Sequence, residues 1–103
     1  METQKTVSQW SEDTFGEVGS NIRVAARANE EMAELLRALS QNDNHPMAGE
    51  EVADVVIVLY RLATRMGIDL HAEIDRKMAV NRTRKWDADS GIGWKHTEKS
   101  PLE

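Results

Sequence analysis

Cysteine is absent from the 103 residues. That excludes disulfides, thiolate metal sites and a cysteine nucleophile, and it fits a reducing compartment. Aromatic residues make up only 5% of the chain, so a core has to be built from aliphatic side chains and methionine. Basic residues are outnumbered, 13 against 18 acidic ones, for a formal net charge of −5. A sequence-independent nucleic-acid binder needs a basic surface, so nucleic acid is not an expected partner. No apolar run approaches the length of a bilayer span, and the first residues, METQKTVSQW, hold no apolar stretch of the kind a secretory signal needs. The expectation is one small globular domain in the cytoplasm, without a membrane partner.

Helical periodicity dominates what is there. Residues 1–20 are polar with two glycines, and Trp10 and Phe15 are candidate anchors for a short N-terminal turn. From Asn21 to about Ser40, the residues Ala25, Ala28, Met32, Leu35, Leu36 and Leu39 recur at helical spacing. The segment Gln41 to Pro46 breaks that helix. A second helix is predicted from Met47 to Met66, with Gly67 as its C-terminal cap. Five β-branched residues in VADVVIVLYRLA make a strand the rival reading. Length decides against it, because the pattern runs for about twenty residues without period-two alternation. Asp69 then starts a third helix, Leu70 to about Trp86, and residues 87–103 read as loop and tail. The expected fold is all-α, an antiparallel helical bundle.

The second helix carries the strongest chemical signal. Between Val52 and Tyr60 the one charged residue is Asp54. A helix apolar all round is buried on all sides, and a carboxylate there must be paired, protonated or bound to metal. Glu51 lies three residues earlier on the same face. The first helix repeats the spacing with Glu31 and Glu34, and Glu30 lies beside them. Taken alone, Glu30, Glu31 and Glu34 would be a solvated face, and Glu50 and Glu51 would only favour a helix N-terminus. Together, two E-x-x-[E/D] pairs on antiparallel helices can bring Glu31, Glu34, Glu51 and Asp54 into one place. Two like charges about 4 Å apart repel by roughly 4 kcal/mol at an effective dielectric of 20. A divalent cation removes that repulsion, and an all-oxygen ligand set favours Mg²⁺ or Mn²⁺.

On the third helix the stripe begun by Leu70 and Ile74 continues as Lys77, Asn81 and Arg84. These residues are either a polar helix end or a phosphate clamp, with Arg84 suited to bidentate contact. The E-x-x-H pairs of di-iron bundles are missing, as are H-E-x-x-H, Walker A and G-x-S-x-G motifs.

With these residues in view, the chain resembles the MazG-like, all-α nucleoside triphosphate pyrophosphohydrolases. The likeness rests on RANEEMAELLRAL, EEVADVVIVLYRLA, DLHAEIDRKMAVNRTRKW and GIGWKH, and spans residues 10 to 96. It looks most similar to the small phage and bacterial dATP/dGTP branch that includes the MazZ enzymes. The resemblance implies hydrolysis of a nucleoside triphosphate to the monophosphate and pyrophosphate. By the same resemblance, Glu31, Glu34, Glu51 and Asp54 match the Mg²⁺/Mn²⁺ ligands, for two or more ions. Glu30 matches an acid that helps to bind metal or activate water, and Lys77, Asn81 and Arg84 match nucleotide contacts. It further implies a homo-oligomer, a dimer or a tetramer; uncovered aliphatic area on the second helix points the same way. The branch points to a purine, with dGTP (and GTP) as the expected substrate. Trp10 and Phe15, or Trp86 and Trp94, are candidate platforms for the base, and Asn29 for a polar contact to base or sugar. A hydrolase of dATP or of a pyrimidine deoxynucleotide and a helical interaction module are the alternatives. Pyrophosphate release from a nucleotide panel separates them.

Overall fold

The computed structural model describes residues 1–87 and 95–96. The chain divides into two compact units, Met1–Leu70 and His71–Glu103. The first unit holds three helices, α1 (Gln4–Phe15), α2 (Asn21–Gln41) and α3 (Ala48–Arg65); a fourth, α4 (Leu70–Thr83), starts at its boundary and lies mainly in the second.

The N-terminal segment is therefore a helix and not a turn. Its signal is a capping box: Thr3 Oγ1 accepts from the Thr6 amide at 3.2 Å, and Thr6 Oγ1 accepts from the Thr3 amide at 2.8 Å. Gly16, at φ 74°, stops the helix. Polar residues conceal α1 because the face it buries is small: Ser8 and Ser11 are buried, so no apolar stripe marks it.

The helices α2 and α3 fall where the periodicity puts them. The C-terminus of α3 closes as a Schellman motif. The Gly67 amide bonds to Thr64 O at 3.0 Å and the Ile68 amide to Ala63 O at 2.9 Å, with Gly67 at φ 70°. Gln4 reaches from α1 to this turn, its Nε2 donating to Ile68 O at 2.7 Å and its Oε1 accepting from the Leu70 amide at 2.8 Å. α3 packs against both other helices of the unit. Partners such as Gln4–Thr64 and Ser8–Tyr60, and Asn21–Arg65, pair early residues with late ones. Both neighbours thus run antiparallel to α3.

Two expectations about burial fail. α3 is not enclosed on all sides: Val52, at 48% exposure, Val56 and Leu59 face outward. Only two helices of its unit cover it, and an α-helix has more surface than two neighbours can close. Asp54 is exposed for the same reason. On α2, Met32 and Leu36 are exposed while Val24 and Glu31 are buried. The inward stripe runs Val24, Ala28, Glu31, Leu35, displaced by one residue from the Met32–Leu36 line, and it carries a carboxylate into the interior.

In the second unit, α4 stops at Thr83 and does not reach Trp86. Trp86–Asp87 pairs instead with Lys95–His96 in a two-stranded antiparallel arrangement, Trp86 opposite His96. The 87–103 stretch is thus not wholly loop and tail. Ile74 on α4 is exposed, so the Leu70–Ile74 stripe is not a buried one. Val80 and Arg84 are buried. The glycine-containing segment 91–93 and Trp94 lie outside the described residues.

Candidate metal and nucleotide site

The antiparallel contact of α2 with α3 brings three carboxylates together. Glu31, Glu51 and Asp54 each place an oxygen within 4.8 Å of the others. Glu31 lies on the buried stripe of α2, at 6% exposure. Glu51 and Asp54, one helical turn apart on α3, are half-buried and exposed respectively. The Oε2 atom of Glu51 is buried and has no hydrogen-bond partner among the described residues. A buried carboxylate oxygen without a donor costs free energy that a cation, a proton or a bound water can return.

Electrostatics point the same way. Burial pushes the Glu31 carboxyl above the usual glutamate range; Arg27 opposes this, and the nearby charges of Glu34 and Asp54 push it further up. Arg27 bonds to both Glu30, at 2.6 Å, and Glu31. That single guanidinium is shared between the two carboxylates. The three clustered acids offer oxygen alone. The set therefore suits a hard divalent cation better than zinc or a soft metal.

A cavity of about 660 Å³ adjoins the acids. Glu31, Glu34 and Asp54 line it together with Trp10, Phe15 and Arg61. Its volume is in the range of small-molecule sites.

The expected site residues separate into groups. Glu31, Glu51 and Asp54 converge. Glu34 lines the cavity and lies outside the close triad. Glu30 is exposed and held by Arg27 beside the site. Trp10 lines the cavity, whereas Asn29 is exposed on α2 and is not among the lining residues. Lys77 and Asn81 lie one turn apart on α4, and Arg84 follows its end, all in the second unit.

Arg61 is the residue that sequence reasoning missed. It is buried on α3, where Nε donates to Glu12 at 3.2 Å and Nη2 to the Gly16 carbonyl at 2.6 Å. Its signal was a lone cation inside the apolar run VLYRLA, the counterpart of Asp54 two turns earlier.

A helical hairpin carries E-x-x-E on one arm and E-x-x-D on the other, and Glu31, Glu51 and Asp54 converge near a ligand-sized cavity, an arrangement that could hold a divalent cation. The chain belongs to the MazG-like family, which matches residues 27–98. It is 42% identical over 67 residues to a dATP/dGTP diphosphohydrolase of Cyanophage S-2L, covering 64% of this chain and 59% of that protein. It is also 36% identical over 87 residues to a dATP/dGTP diphosphohydrolase of Salmonella phage PMBT28, covering 82% of this chain and 27% of that protein. The chain thus spans less than two thirds of the length of either relative. No solved structure matches it significantly.

Proposed function

We propose that this chain is a metal-dependent nucleoside triphosphate pyrophosphohydrolase acting on a purine deoxynucleotide, with dGTP (and GTP) preferred. The observation that carries the reading is the convergence of Glu31, Glu51 and Asp54, with a donorless buried Glu51 oxygen, beside a cavity of about 660 Å³. The names of the two phage relatives support the substrate class.

In this reading Glu31, Glu51 and Asp54 hold Mg²⁺ or Mn²⁺, two or more ions being accommodated with Glu34 as a further ligand. Bound divalent ions supply charge neutralisation for the triphosphate and lower the pKa of water. Glu30, oriented by Arg27, takes the proton of the attacking water. A new P–O bond forms, the bridging P–O bond breaks, and pyrophosphate leaves alongside the nucleoside monophosphate. Lys77, Asn81 and Arg84 contact the nucleotide. No protein nucleophile is required, because phosphoryl transfer is mostly positioning and charge stabilisation.

The exposed row Val52, Val56 and Leu59 on α3 supports a homo-oligomer, a dimer or a pair of dimers, with active sites near subunit boundaries. Light scattering at micromolar concentration should give a multiple of 11.6 kDa. Among the described residues no helix is long and apolar enough to cross a membrane; action in the cytoplasm is part of the proposal.

The test of the reaction is a panel of dGTP, dATP, dCTP, dTTP and dUTP with Mg²⁺ and with Mn²⁺, following pyrophosphate and orthophosphate separately. Pyrophosphate with dGTP fastest is expected. A pyrimidine preference removes the substrate assignment, and orthophosphate as first product removes the reaction type.

A further inference from the structure

The residues that line the cavity fall into two groups by their own contacts. Glu31 and Asp54 lie together, and Trp10, Phe15 and Arg61 lie together. Arg61 follows Asp54 by seven residues on α3, about 10 Å along a helix at 1.5 Å per residue. The separation lets one nucleotide place its phosphates at the acids and its base at the rings.

Trp10 and Phe15 meet edge to face, ring centroids 5.5 Å apart and planes at 86°. Both remain open, at 54% and 65% exposure. Two exposed rings fixed at right angles beside a cavity form an apolar surface that a flat ligand can cover. Phe15 is the last residue of α1, a position where a helix end ordinarily frays. Here it is pinned. The Arg61 guanidinium carbon lies 5.9 Å from the Phe15 ring centroid. The same guanidinium donates to Glu12, one turn before Phe15, and to the carbonyl of Gly16, the residue after it. One buried cation thus touches the ring, the turn before it and the cap behind it, and Arg65 shares only the Glu12 carboxylate with it, at 3.8 Å.

We propose that Arg61 is a positioning residue for base recognition: it holds Phe15 against Trp10, and this pair is the wall on which the nucleobase of the substrate rests. The proposal rests on the nucleotide reading of the site and names the part of it that touches the base. Arg61 does not itself meet the reacting phosphorus; it acts through Phe15.

The experiment measures binding, in the presence of Mg²⁺, of a non-hydrolysable dGTP analogue and, separately, of inorganic tripolyphosphate. The full chain is compared with Phe15→Leu, Arg61→Met and Arg61→Lys, and the melting temperature of each is recorded. Phe15→Leu and Arg61→Met should weaken the analogue by about tenfold, the scale of one base–aromatic stack, and leave tripolyphosphate unchanged. Arg61→Lys, which keeps the charge but cannot make both hydrogen bonds, should fall between. With hydrolysed dGTP the same variants should raise KM more than they lower kcat. Equal weakening of analogue and tripolyphosphate makes Arg61 a merely structural residue and overturns the proposal, as does unchanged analogue binding in Phe15→Leu. A wild-type protein that binds the analogue in this Arg61-dependent way but releases no pyrophosphate refutes the hydrolase reading alone. One that binds neither ligand refutes both.

Discussion

The two seams of α3 solve the problem of buried polar groups in opposite ways. Against α1, each polar group described has a partner. Ser8 Oγ donates to Tyr60 O at 3.1 Å and shares a hydrogen bond of 2.8 Å with Thr64, and Arg61 satisfies both Glu12 and the Gly16 carbonyl. Against α2, carboxylates of one sign meet, one oxygen of Glu51 has no donor, and burial raises the Glu31 pKa. A satisfied seam fixes geometry. An unsatisfied one stores an affinity for whatever completes it. The same helix thus presents a satisfied face on one side and clustered carboxylates on the other.

The contrast breaks most visibly at Glu51. Glu51→Gln removes ligand charge while nearly keeping shape, and activity should fall by roughly three orders of magnitude, the equivalent of about 4 kcal/mol of lost charge interaction. The metal-free variant should melt at or above the wild-type temperature, because a repelling charge has gone. Activity assays and melts in EDTA check both halves; an active Glu51→Gln enzyme would contradict the ligand assignment.

Next in size is the effect of metal. Mg²⁺ or Mn²⁺ at a hundredfold excess over its dissociation constant should stabilise the folded chain by about 2.7 kcal/mol. Differential scanning calorimetry should show the shift in wild type and its loss in Glu51→Gln. Full turnover in EDTA would remove the metal from the mechanism.

The satisfied seam predicts the reverse pattern. Ser8→Ala leaves the Tyr60–Thr64 side of α3 short of one donor and should cost about 1 kcal/mol. Chemical denaturation should report that loss equally with and without metal, since the change lies outside the acids.

The smallest effect is the pH dependence. Glu31 has its folded-state pKa raised above the unfolded value, so the folded state binds the proton more tightly. Stability of the metal-free protein should therefore fall as pH rises from the ordinary glutamate range through the raised value, and level off above it. Melts in EDTA across this window should lose that slope in Glu31→Gln.

Sequence alone located α2 and α3, because their apolar residues recur at helical spacing, and it placed Gly67 at the end of α3, where the turn requires positive φ. It singled out Asp54 as a carboxylate in an apolar run, and it added Glu51, Glu31 and Glu34 by the repeated three-residue spacing. It did not reveal α1, whose buried face is serine and whose capping box is threonine on threonine, outside the commoner Ser/Thr-x-x-Glu form. It misjudged Met32 and Leu36, because hydrophobicity ranks them as core while geometry gives the inward place to Glu31. Arg61 escaped for a related reason: its partners, Glu12 and the Gly16 carbonyl, lie some fifty residues away in sequence and belong to the helix that was not seen.

The family match begins at Arg27 and so takes in the acidic arms of α2 and α3, but not α1. Trp10 and Phe15, which wall the cavity, lie before it. A wall supplied by a separate helix, joined to α3 by its own hydrogen bonds, can exchange its side chains without moving any carboxylate. On the proposed reading, selectivity and reactivity are then heritable separately: mutation can retune what the cavity admits while the carboxylates assigned to the triphosphate stay as they are.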